Sequence, residues 1–326
     1  MRLAAALLVL LPCAGSAGAD SGWRRESVDL SRFELLRQFV LPDVDDQNAR
    51  SLSPAGQAIA LSPGDGSIRL VDTRQGGELR ILKGHTADIH DWAWSWDGRL
   101  LATSAMDGSV RVWEVETGKT LASVFAHAGY SCSVAFSPDG RRFAAGGSSE
   151  GTVKIFEAVG GTPVLTFEPP ARATWGLGYT GDGKSLVGYH PDGVLRVYNS
   201  ADGSEVKSFD SGMGRAIGAS FSRDGRLMAY PSPEGEIVIL DTTAWAEKRR
   251  LAGHARGTFR LLFHPNNRAV ASAGVDGLVR LWDIDSSRML KALAEPLVGD
   301  CRMAFGSDGL SLVVISGRFV RVYGRK

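Results

Sequence analysis

The chain has 326 residues, 44% hydrophobic and 22% charged, which is enough to bury a substantial core in an ordinary globular protein. Lys plus Arg number 37 and Asp plus Glu 36, a net charge of +1 without a run of like charge, and this speaks against a nucleic-acid binder. Gly reaches 40 residues without a collagen-like period, so the glycines read as turns.

The first 19 residues, MRLAAALLVLLPCAGSAGA, differ in character from the rest of the chain. Arg2 precedes an apolar run from Leu3 to Leu11, and a small-residue stretch ends in Ala17-Gly18-Ala19. That order is the order of a secretory signal peptide. The apolar run is about half of the ~20 residues a membrane-spanning helix needs. A lipoprotein signal ending at Cys13 is the alternative, although Pro12 stands where such signals carry a small residue. Cleavage after Ala19 removes one Arg, which leaves 37 − 1 = 36 basic and 36 acidic residues. The mature chain, residues 20–326, is then expected to be exported to the periplasm or outside the cell.

The next element is Arg32 to Leu41, RFELLRQFVL, read as a strand with a helix as the alternative. A unit then recurs: a strand, a first turn of the S-P-D-G type, a second strand, a second turn with D-G, and an alternating apolar strand. First turns fall at Pro54-Ala55-Gly56, Asp97-Gly98, Asp139-Gly140, Asp182-Gly183, Asp224-Gly225, Asn266-Asn267 and Asp308-Gly309. The second-turn glycines are Gly66, Gly108, Gly151, Gly193, Gly235, Gly277 and Gly317, at intervals of 42, 43, 42, 42, 42 and 40. Asp-Gly between alternating apolar runs is a strong hairpin signal, because both residues tolerate positive φ. Six third strands carry a mid-strand cation, Arg69, Arg111, Lys154, Arg196, Arg280 or Arg321, whose stem is expected to pack along a neighbouring sheet while the charge stays at the edge. One such sheet cannot bury both faces, but sheets stacked around an axis can. Seven units of about 42 residues predict an all-β, seven-bladed β-propeller.

The units resemble the WD-repeat family. Gly84-His85 pairs with Trp113-Glu114 and Gly253-His254 with Trp282-Asp283, while Ala126-His127 with Phe156-Glu157 is a weaker copy. The resemblance implies a buried hydrogen-bonded network within a blade, formed by His85, Thr103, Asp107 and Trp113 in the second unit. His254, Ser272, Asp276 and Trp282 form it in the sixth. It also implies that residues 32–41 supply the fourth strand missing from the seventh unit. The family's members are commonly interaction platforms, and the exported, short form resembles a bacterial member.

His190 falls in the second turn of the fourth unit and His264 at the serine position of a first turn. Cys301, Asn48, His90 and Cys132 occupy one site in successive first strands around the ring, yet blades hold such residues too far apart for most to converge on a metal. The same separation predicts that Cys132 and Cys301 remain thiols. No nucleophile elbow, phosphate loop or metalloprotease motif is present. The sequence therefore reads as a non-enzymatic protein without cofactor or metal, monomeric by itself, that binds another protein or a peptide. A hydrolase- or lactonase-type propeller, or a ligand or metal sensor using the central channel, is the alternative. Residues on the rim formed by the loops before first strands and by the second turns are the candidate contacts: Tyr130, Arg172, Trp175, Tyr189, Met213, Arg215, Arg256, Arg302 and Arg318. Trp96 and Trp245 form a rival patch on the opposite rim.

Overall fold

A computed structural model describes residues 29–41, 50–73, 76–210, 219–255, 257–293 and 301–325, apart from the side chains of Arg50, Cys132 and Asp210. The expected signal segment with Cys13 lies outside these residues, as do Asn48, Met213, Arg215 and Arg256. The only helical element among the described residues is a 3-10 turn, Leu30–Arg32. No described helix is long and apolar enough to cross a membrane.

The strands form seven four-stranded antiparallel sheets, so the chain is a seven-bladed β-propeller. In the second blade, Ile89–Trp94, Leu100–Ala105, Ser109–Glu114 and Thr120–Phe125 run in order from the innermost strand outward. The other blades repeat this order, with innermost strands Arg50–Leu52, Ser131–Phe136, Gly176–Tyr179, Ser220–Phe221, Thr258–Phe263 and Cys301–Phe305. The seventh blade takes its outer strand from the other end of the chain: Glu34–Val40 pairs antiparallel with Phe319–Gly324. The segment read as a strand over residues 32–41 is therefore the closing strand, entered through the 3-10 turn.

The core is divided among the blade interfaces. Among the described residues there are seven hydrophobic clusters, each shared by two neighbouring blades. Phe33 enters the cluster between the sixth and seventh blades, and Leu41 enters the one between the seventh and first; both are fully buried. The closing strand is thus pinned at both ends as well as along its ladder.

The glycine period has a steric cause. Gly66 and Gly108 have φ of +77°, and a Cβ on either would lie 2.5 Å from the carbonyl oxygen of His85 or His127 in the next unit. Only glycine fits a left-handed position so close to a neighbouring backbone. In the sixth blade Asn267, at φ 61°, replaces glycine in the first turn.

Several mid-strand cations find partners within their own blades. Arg196 reaches Asp192 at 2.6 Å, Arg280 reaches Asp276 at 2.6 Å, and Arg321 Nε donates to Gln38 Oε1 at 3.1 Å. Arg111 lies over the Trp113 ring, 6.0 Å from its centroid. These side chains are half-buried or buried.

Candidate functional site

The networks expected in the second and sixth blades are present. His85 Nδ1–H donates to Asp107 at 3.2 Å, Thr103 Oγ1 bonds His85 Nε2 at 2.8 Å, and Trp113 Nε1–H donates to Thr103 Oγ1 at 2.9 Å. In the sixth blade the distances are 2.9 Å from His254 to Asp276, 2.7 Å from Ser272 to His254, and 2.8 Å from Trp282 to Ser272. Burial pushes both imidazoles below their ordinary range, against the pull of the aspartates, so both are neutral near pH 7. Burial alone would raise the Asp107 carboxyl, but bonds from Ser109 and from the Thr86 backbone outweigh it and bring the group down to about 2. Each hydroxyl accepts from an indole and donates to an imidazole, so the buried hydroxyl, imidazole and indole of each network are all paired.

The third blade has a looser version, with His127 Nδ1 3.5 Å from Glu150 and 3.3 Å from Thr152 Oγ1. In the fourth blade His190, which the sequence placed in an ordinary turn, is buried. Its Nδ1–H donates to Ala173 O at 2.9 Å, and Tyr198 O–H donates to Nε2 at 2.9 Å. Tyr198 occupies the Trp position, so His190 and Tyr198 make a direct imidazole–aromatic hydrogen bond in the fourth blade. The signal was available in the sequence as a histidine beside a turn and a tyrosine eight residues later, but the usual histidine position is empty. His264 also serves the fold: its Nε2–H donates to Gly309 O at 3.0 Å, which ties the sixth blade to the seventh.

The described candidate contact residues separate into three groups. Tyr130, Arg172 and Arg318 are exposed, and the Tyr130 ring lies 5.3 Å from that of His90. Trp175 is half-buried and packs on Tyr189, with centroids 6.1 Å apart. Tyr189 and Arg302 are 2% and 6% exposed and are not exposed rim residues. Tyr189 ends a second strand opposite Gly176 and turns its ring into the cluster between the fourth and fifth blades; Arg302 sits in an innermost strand opposite Ile315. Met213, Arg215 and Arg256 lie outside the described residues.

The rival patch is corrected as well. Trp96 is buried and Trp245 packs half-buried against Phe209, so the two form no common exposed surface.

The innermost strands add a charged belt that sequence reading overlooked. Asp91, Ser133, Gly176, Arg260 and Arg302 take equivalent ladder positions in the second, third, fourth, sixth and seventh blades. Asp91 Oδ2 accepts from Val134 N at 3.0 Å. Burial drives its carboxyl up to about 7 despite the neighbouring Arg302 and Arg260. Cys301 is a buried thiol one residue before this belt. Among the described residues no three or more His, Cys, Asp or Glu side chains come together as a metal site.

The profile of the WD domain, G-beta repeat, matches residues 76–114, 118–157 and 245–283. Each match begins with the outer strand of one blade and runs through the third strand of the next. No curated protein shows a significant match. With its histidine networks, its ring of seven sheets and these matches, the chain is a seven-bladed β-propeller that carries WD40 repeats.

Proposed function

We propose that this propeller is a non-catalytic protein-interaction scaffold, exported to the cell envelope or outside the cell after loss of residues 1–19. WD40 propellers commonly serve as interaction scaffolds and are typically non-enzymatic. The observation that carries the reading is the exposure of Tyr130, Arg172 and Arg318 on loops of one rim, held by rigid sheets. Aromatic and arginine side chains on positioned loops are the usual energetic anchors of interfaces. The order of charges and apolar residues in the first 19 positions supports export.

Affinity capture of the tagged chain from its native host, with intact mass of the mature form, tests both parts. The expected result is a mass beginning at Asp20 and a stoichiometric protein partner. The triple variant Tyr130→Ala, Arg172→Glu, Arg318→Glu should bind that partner at least about tenfold more weakly while unfolding normally. Equal binding by the triple variant would remove this rim from the interface. A mass beginning at lipid-modified Cys13 would replace the free exported form with an anchored one.

A further inference from the structure

The rim that carries the first turns is closed on one side and open on the other. On the closed side, Arg223 of the fifth blade donates its backbone N–H to Asn267 Oδ1 at 2.7 Å and its Nη1 to Ser307 O at 3.4 Å. His264 bonds Gly309 O there, so the first turns of the fifth, sixth and seventh blades are laced together. The fourth and fifth turns touch backbone to backbone: a Cβ on Gly181 would fall 2.5 Å from Gly225 Cα. Over the second, third and fourth blades, by contrast, lies a cavity of about 1140 Å³. It exceeds the ~300–1,000 Å³ usual for small-molecule sites.

Asp97, Asp139 and Asp182 stand at the same place in three successive turns and line this cavity. Each carboxylate is fixed by its own turn through Oδ1, which accepts from Ser95, Ser137 or Thr180 at 2.6–2.7 Å. With Glu157 the lining holds four acidic groups against Arg141, Arg142 and Arg223, a formal balance of 3 − 4 = −1. Arg142 Nε pairs with Glu157 at 3.2 Å within the lining, and Arg223 Nη1 reaches Ser307 O, so the three aspartates outnumber the remaining cations, Arg141 and Arg223.

A second observation points to an occupant. Trp96 and Tyr179 also line the cavity and are only 4% and 5% exposed. Among the described residues the Trp96 Nε1–H and the Tyr179 O–H have no hydrogen-bond partner. A buried donor without an acceptor is costly, and a ligand that brings an acceptor recovers that cost. An acidic ligand would meet the three aspartates, and an apolar one would leave both donors unpaired. A basic peptide satisfies both requirements, since its cationic side chain pairs with the aspartates and its backbone carbonyls accept from Trp96 and Tyr179, whose donor atoms are covered in this structure and rotate toward the cavity to meet them.

We infer that the open side of this rim, over the second to fourth blades, is a docking site for an Arg- or Lys-bearing peptide segment of a partner protein. The inference rests on the scaffold reading but assigns a different face from the rim of Tyr130, Arg172 and Arg318.

The test selects phage-displayed random dodecapeptides on the intact chain and measures synthetic copies by fluorescence polarisation. Expected are Arg- or Lys-containing peptides whose binding weakens with salt. Their affinity should fall about tenfold or more in the variant Asp97→Asn, Asp139→Asn, Asp182→Asn, which keeps the Oδ1 acceptor of each turn and removes the charge. Trp96→Phe, which keeps an aromatic ring and loses the N–H, should weaken them too, whereas the Tyr130, Arg172 and Arg318 variant should not. Urea unfolding of each variant verifies the fold. Peptides without basic residues, or equal affinity for the triple Asn variant, would overturn the inference. Basic peptides lost only in the Tyr130, Arg172 and Arg318 variant would overturn this site and leave the scaffold reading standing. Failure to select any peptide would overturn the site as well, while capture of a native partner would still decide the scaffold reading.

Discussion

Ser272 serves two rings with one hydroxyl, accepting from Trp282 and donating to His254, and Thr103 does the same between Trp113 and His85. Where this hub is absent, the fourth blade uses His190 and Tyr198 directly. His190 carries a pH consequence. Burial lowers its imidazole from 6.5 to about 4, so on acidification the unfolded chain takes up the proton first, and stability is lost between about pH 6.5 and pH 4. Asp91 works in the opposite sense. Burial raises its carboxyl from 3.8 to about 7, so the folded chain takes the proton first, and stability from this group is gained as pH falls from about 7 to 3.8. His190→Gln should therefore reduce the acid loss by an amount on the order of 3 kcal/mol at most. Asp91→Asn should raise stability at pH 8 and steepen the loss below it. Urea unfolding at pH 8, 6 and 4 measures both, and parallel curves for wild type and variants would refute the assignments.

At the scale of the element, the closing strand shows how local sequence and ring geometry cooperate. ELLRQFV is exposed over most of its length, because an outer strand faces a neighbour on one edge only. Its anchoring comes from Phe33 and Leu41, buried just outside it. Phe33→Ala should cost about 3–5 kcal/mol in chemical denaturation. Leu36→Ala, at a residue 46% exposed, should stay within about 0.5 kcal/mol. Equal effects would mean that the strand is held by its ladder alone. Every blade also has one register slip between its third and fourth strands, from Leu70/Val71 in the first to Leu35/Arg37 in the seventh. Such bulges twist outer strands and blunt exposed sheet edges.

This element also marks how far the sequence can be read. Blade count and both histidine networks were legible because each rests on a periodic residue, a glycine with no room for a side chain or a histidine paired with a tryptophan at fixed spacing, whereas closure was legible because residues 32–41 read as a strand outside the repeat. The rim was legible only in part. Tyr189 and Arg302 sit at strand ends, where one residue of register decides between solvent and interior, and spacing alone does not resolve that. The cavity beside Trp96 depends on how turns from different blades meet, and such contacts between units have no period.

Across the whole molecule, stability is spread over seven similar interfaces, while the polar reinforcement is not. The second and sixth blades have complete networks; the fifth has an innermost strand of two residues, Ser220–Phe221, and no histidine at the network site. Hydrogen exchange should therefore be slowest in the second strands Leu100–Ala105 and Ala269–Gly274 and faster in Leu227–Pro231. Uniform protection around the ring would show that packing between blades, rather than the networks, sets local stability.

The offset between repeat and sheet bears on how such a ring can change size. A matched stretch such as 76–114 holds one sheet's last strand and the next sheet's first three. Deleting or duplicating one copy therefore joins two partial sheets into a whole one, wherever the cut falls between copies. The N-terminal strand still completes the final sheet. Gain or loss of a copy thus preserves the join at every surviving sheet, and the circumference can vary in whole steps without passing through a ring with an unfinished member.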